Sequence, residues 1–191
     1  MAGNVWKLGA LTVLAMSSAV VVAQNNHAVS LGADYTYVRT NVQPGCSCFS
    51  LSGGGAQIQV SLAPHLAGIG DVTLTHKAGI TADNYTLTQL TYTGGVRVWP
   101  FAPRARLRPF AEIMLGGASS FGTLSPASSG VGGASNAFAF ESGGGIELRL
   151  SPRISLLPVE ADYLMTTFSN TANNRQNDLR LSAGFVIRLS R

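Results

Sequence analysis

Charge is what this chain has least of. Aspartate, glutamate, lysine and arginine make up 12% of its 191 residues, where a soluble domain carries about 25%. Lysine occurs twice, at Lys7 and Lys77. The net charge is only +4 and 46% of residues are hydrophobic, which excludes disorder driven by charge repulsion. Two cysteines in the whole chain exclude a disulfide-stapled scaffold. The 22 glycines follow no period of three, so a collagen-like chain is excluded. Beyond residue 23 there is no apolar run of about 18 residues, which excludes a bundle of transmembrane helices. The histidines, His27, His65 and His76, are scattered and show no HxxxH or HExxH spacing, so no zinc site is expected. No phosphate-cradling glycine loop precedes a helix, and no basic–aromatic module suits nucleic acid, so neither a cofactor nor a nucleic-acid partner is expected. At this length one domain is the default.

What is present begins with an export signal. Lys7 precedes an apolar stretch at 8–22, and the small residues Val21 and Ala23 stand at the −3 and −1 positions of a cut before Gln24. That is the layout of a secretory signal peptide. Fifteen residues of helix rise about 22 Å, short of the ~30 Å hydrocarbon core, which disfavours a permanent anchor. The expected division is a signal-peptide helix over 1–23 and one domain over 24–191.

Apolar and polar residues then alternate in eight segments: 28–40, 53–63, 66–77, 87–100, 107–121, 137–150, 154–168 and 178–190. Alternation with period two marks a strand with two unlike faces. In the first segment Leu31, Ala33, Tyr35 and Tyr37 oppose Ser30, Gly32, Asp34 and Thr36; in the seventh Leu157, Val159, Ala161, Tyr163 and Met165 oppose Glu160 and Asp162. Each segment reaches the ~9–11 residues a tilted strand needs to cross a bilayer. The glycine-rich first half of the third segment assigns no face. Pro158 removes a ladder donor and predicts a bulge. Connectors alternate between short (63–65, 101–106, 151–153) and longer and polar (41–52, 78–86, 122–136, 169–177). Short inner turns, longer outer loops and an even strand number describe an outer-membrane barrel.

Charge decides which face lies inside. A lipocalin-like secreted barrel points its apolar face inward. Here Asp34, Asp71, Glu112, Glu141, Glu147, Glu160 and Asp162 share the polar face with Arg97, Arg149, Arg180 and Arg188, and the opposite face is almost free of charge. A charge on the lipid face near the midplane costs roughly 2–4 kcal/mol. A soluble barrel would also dot its polar face with lysine, and this face carries Gly, Thr and Ser instead. The expected fold is therefore all-β: an eight-stranded antiparallel up-and-down transmembrane β-barrel with the charges in its lumen. So narrow a barrel is filled by side chains. The charges are then expected to pair, with Arg97, Arg149, Arg180 and Arg188 as hubs, either as a structural plug or as a selectivity lining. Tyr35, Tyr37, Phe121, Phe138, Phe140, Tyr163 and Phe168 fall at outer strand ends, and Trp99, Phe101 and Phe110 near the inner rim. They are expected to form two interfacial girdles.

With this layout the chain resembles the small eight-stranded outer-membrane β-barrel proteins of Gram-negative bacteria, the OmpA-like and OmpX-like group. The resemblance covers 24–191 and is carried by the leader, the eight strands, Leu107-Arg108-Pro109-Phe110-Ala111-Glu112 with Gly116-Gly117, and the closing strand at 179–189. Such barrels often end in an aromatic residue; this sequence ends Leu189-Ser190-Arg191. The resemblance implies a porin-like or structural protein of the outer membrane, in contact with its lipid and inserted by the barrel-assembly machinery, with no peptidoglycan-binding domain expected after the last strand. It implies no particular activity.

Three classes of function remain open: a structural or porin-like barrel, a surface protein whose four outer loops bind an extracellular partner, and a rim-located lipid-modifying enzyme. The last would draw on His76, Asp83 and nearby serines, which no recognisable motif joins. No catalytic residue is assigned. Arg104, Arg106 and Arg108 make the turn after the fourth strand basic, a place to meet anionic headgroups or simply water. Cys46 and Cys48 form a Cys-Ser-Cys in the first outer loop. Export permits a disulfide between them, although a single intervening residue makes a strained ring. Thiolate capture of a metal and cross-linking to a partner are the alternatives.

Overall fold

A computed structural model describes residues 28–40, 49–80, 84–101, 105–124, 134–169 and 174–189. The leader expected over 1–23 and the Cys46/Cys48 pair lie outside the described residues. The eight strands are β1 (Val29–Arg39), β2 (Ser50–Ala63), β3 (Leu66–Ile80), β4 (Tyr85–Val98), β5 (Leu107–Phe121), β6 (Ala134–Arg149), β7 (Ile154–Thr166) and β8 (Gln176–Arg188). Each pairs antiparallel with the next, and β1 pairs with β8 to close the barrel. Closure leaves no strand edge unpaired, the condition for β-structure in lipid.

The usual distribution of residues is inverted. Leu31, Ile58, Leu74, Tyr92, Ile113, Leu115, Leu179 and Phe185 are exposed on the outer wall, whereas Asp71, Arg97, Glu112, Glu141, Glu160, Asp162 and Arg180 are buried. Alternation alone produces this in a closed barrel, because successive side chains point to opposite faces. In β3 the inward residues of the glycine-rich half are Ala67 and Ile69.

β7 departs from simple alternation. Ile146 and Leu148 of β6 pair with Val159 and Leu156, so two steps on β6 match three on β7. Leu157 and Glu160 likewise span three steps against two on β8. One extra residue is accommodated at Pro158, which has no N–H to give to a ladder. The bulge reverses the phase. Leu157, expected on the lipid face, is 2% exposed and points inward, while Pro158 and Val159 both face outward.

The aromatic girdles also need correction. Tyr35, Tyr37, Phe121, Phe138 and Tyr163 are exposed at the outer end of the wall. Phe168 is buried inside with Ala118, Ala139 and Leu164. At the inner end Phe101 is 63% exposed, but Trp99 and Phe110 are 6% and 5% exposed and fill the lumen with Ala67, Leu157 and Val186. Trp99 lies two residues from Arg97, and Phe110 two from Glu112, so each shares the inward face of its neighbour.

Candidate functional site: the charged lumen

The lumen is layered along the barrel axis. At its middle, the pairing register lines up Arg97 on β4, Glu112 on β5, Gly143 on β6, Asp162 on β7 and Arg180 on β8. Gly143 is the one member of this row without a side chain. A Cβ there would stand 2.2 Å from Asp162 Oδ1 and 2.3 Å from the Ala161 carbonyl oxygen, so glycine makes the room that the Asp162 carboxylate occupies.

Arg97 donates from Nε to Glu112 Oε2 at 2.6 Å, from Nη2 to Glu160 Oε2 at 2.8 Å and from Nη1 to Gln57 Oε1 at 3.1 Å. Its guanidinium lies 4.0 Å from the centroid of the Phe110 ring. Arg180 meets Glu141 Oε1 at 2.7 Å, Asp71 Oδ1 at 3.0 Å, Glu160 Oε1 at 3.6 Å and Asp162 Oδ2 at 3.8 Å. Glu160 therefore joins the two arginines. The side chains reach across the bore: Arg97 on β4 to Glu160 on β7, and Arg180 on β8 to Asp71 on β3.

The layer holds more carboxylates than guanidiniums, and neutral donors serve some of the remaining oxygens. Thr93 donates to Glu141 Oε2 at 3.2 Å and Thr73 to Asp71 Oδ1 at 2.8 Å. Asp34, the least buried of the acids, accepts from Thr36 at 2.6 Å. Carboxylate oxygens of Glu112, Glu160 and Asp162 lie within 4.8 Å of one another, a spacing a metal ion could use. Arg97 and Arg180 already face that cluster, and their charge opposes a further cation.

Apolar side chains stand on either side of this layer. Toward the outer end are Val38, Leu51, Ile80 and Leu87, backed by Phe49, Tyr85 and Leu124. Toward the inner end are Trp99, Phe110, Leu157 and Val186. Below them Glu147 accepts from Ser155 Oγ at 2.7 Å and Trp99 Nε1 at 3.1 Å, and pairs with Arg108 at 3.5 Å.

The structure thus brings Asp71, Arg97, Glu112, Glu141, Glu160, Asp162 and Arg180 into one network and holds Glu147 in a second. Arg149 and Arg188, expected as hubs, make no ion pair among the described residues. They stand at the inner mouth, where Arg108 and Trp99 already occupy Glu147. Asp178 was not singled out from the sequence, and Arg108, expected in the basic turn, stands in β5; both are buried. Both were legible by parity, since Arg108 precedes Phe110 and Glu112 by even steps and Asp178 precedes Arg180 by two. At the outer rim His76 Nδ1 bonds Thr88 Oγ1 at 2.8 Å, and no carboxylate adjoins it among the described residues. Asp83, the other half of the enzyme reading, lies outside them.

No family model and no curated protein sequence matches the chain. Among solved structures it is similar to Neisserial surface protein A, with a TM-score of 0.61 and 16% identity over 84% of this chain and 97% of that one. It is also similar to Ail, the attachment invasion locus protein of Yersinia pestis, with a TM-score of 0.55 and 13% identity over 84% of this chain and 99% of that one. At such identities the likeness is one of fold. Closed topology, an apolar outer wall and these likenesses agree: the chain has the fold of the small eight-stranded outer-membrane β-barrels.

Proposed function

We propose that the protein resides in the outer membrane as a structural barrel whose lumen does not conduct. The observation that carries this reading is the pair of arginines reaching across the bore, Arg97 to Glu160 and Arg180 to Asp71, with apolar side chains on both sides of them. A selectivity lining needs charges that face mobile water and exchange partners with passing ions. These guanidiniums are instead 1% exposed, Arg97 engaged with two carboxylates and Arg180 with four. Opening a path would separate buried ions from their partners, at a cost of several kcal/mol per ion. On this reading the working surfaces are the wall, in contact with lipid, and the two ends. The test is single-channel recording of the refolded protein in a planar bilayer, with insertion verified separately by protease protection. The proposal expects no reproducible steps. Steps whose ion selectivity changes in Glu112→Gln would overturn it and make the lumen a pathway.

A further inference from the structure

The inner mouth of the lumen holds a cavity of about 430 Å³ whose charge is one-sided. Arg108, Arg149, Arg153 and Arg188 line it, and Glu147 is the one acid among its lining residues. Glu147 is already taken by Ser155, Trp99 and Arg108. Arg149, Arg153 and Arg188 have no ion pair among the described residues. Arg108 is 6% exposed, yet its Nε has no hydrogen-bond partner. Its guanidinium stacks on Trp99 at 4.5 Å, and Arg149 and Arg188 are close enough to repel it.

The fold holds these arginines together. The backbone N–H of Arg188, at the end of β8, donates to the Arg153 carbonyl at 2.8 Å, and Arg149 pairs with Ser155 across β6 and β7. Trp99 and Val186 line the cavity and also belong to the apolar layer beneath the ion-pair network. These two side chains form the apolar floor of the cavity. Converging like charges around a cavity, one of them buried with an unused donor, are costly without a counter-charge. Planar guanidiniums suit oxyanions that accept paired N–H bonds, phosphate above all. Ser30, Gln59 and Ser155 add neutral polar groups to the lining.

We infer that this mouth binds a phosphate-bearing anion. The ligand is either a soluble phosphorylated small molecule or the headgroup of an anionic lipid reaching in from the rim. The pocket stands whether or not the lumen conducts, so its test is independent of bilayer recording.

The experiment is a calorimetric titration of the refolded full chain, in neutral detergent micelles, with pyrophosphate at constant ionic strength. In the Trp6→Phe chain, Trp99 fluorescence gives a second readout, because the indole lines the pocket. The expected result is saturable one-to-one binding. Arg149→Gln/Arg188→Gln should weaken it about tenfold or more, and Arg39→Gln, at the opposite end of the barrel, should leave it unchanged. Both pocket substitutions affect partly exposed arginines without ion pairs, so the heat-modifiable gel shift should stay that of the parent and report intact folding. A parallel arm dopes the micelles with phosphatidylglycerol. Displacement of pyrophosphate by the lipid supports the headgroup form, and its absence supports the soluble form. The inference is overturned if the parent shows no saturable binding, if the double variant binds as the parent does, or if succinate binds more tightly than pyrophosphate.

Discussion

Arg97 offers the sharpest perturbation. Arg97→Met keeps much of the side chain's length and its contact with the Phe110 ring, but removes the charge. Two ion-paired bonds disappear, to Glu112 at 2.6 Å and Glu160 at 2.8 Å, with a third from the guanidinium to the uncharged Gln57. At about 1.5–3 kcal/mol for each charged bond the loss is about 3–6 kcal/mol. Removing one partner of a buried ion pair gives about 3–5 kcal/mol by an independent route, because Glu112 and Glu160 stay buried with their charge less compensated. The two ranges overlap, and a destabilisation of about 3–5 kcal/mol is expected. The assay is urea-induced unfolding in micelles, followed by the fraction of the heat-modifiable folded band, with unchanged m-value as the check on two-state behaviour. A companion variant, Arg97→Met/Glu112→Gln/Glu160→Gln, neutralises all three groups and should recover more than half of the loss, which makes the effects strongly non-additive. A loss under about 1 kcal/mol for the single variant would match an exposed surface pair and refute the buried network.

Other positions test other parts of the account. Gly143→Val puts a side chain onto Asp162 Oδ1 and the Ala161 carbonyl, and urea unfolding should show a loss of about 1–3 kcal/mol or failure to fold. Leu115→Arg places a charge on the lipid-facing wall in the middle of β5 and should cost about 2–4 kcal/mol by the same assay. Trp99→Phe keeps the apolar filling but removes the 3.1 Å bond to Glu147, for an expected loss of about 1 kcal/mol.

The parity of a strand carried most of what could be read from the sequence. Once Arg97 is placed inward, Trp99 follows, and once Glu112 is inward, so are Phe110 and Arg108. For Trp99 and Phe110, parity overrides nearness to a turn: both point into the lumen. At Leu157 parity itself fails. Pro158 announced a bulge, but a bulge adds one residue and reverses every side chain on one side of it. Only the pairing registers of β7 with β6 and β8 show which side that is. Arg149 and Arg188 show a third limit. Their inward face follows from alternation, but their height along the bore, and hence the lack of a free carboxylate beside them, depends on how strand ends are staggered round the barrel. The bridge from Arg97 to Glu160 depends on closure, which brings together strands far apart in sequence.

The central claim is that the apolar face meets lipid and the charged face fills the bore. Quenching of indole fluorescence by brominated lipid tests it most directly. Trp6→Phe leaves Trp99 as the remaining indole, and a second chain adds Leu115→Trp on the outer wall. The account predicts that Trp99, buried in the lumen, is barely quenched, and that the added indole at position 115 is quenched strongly. Equal quenching of both, or quenching of Trp99 alone, would contradict it.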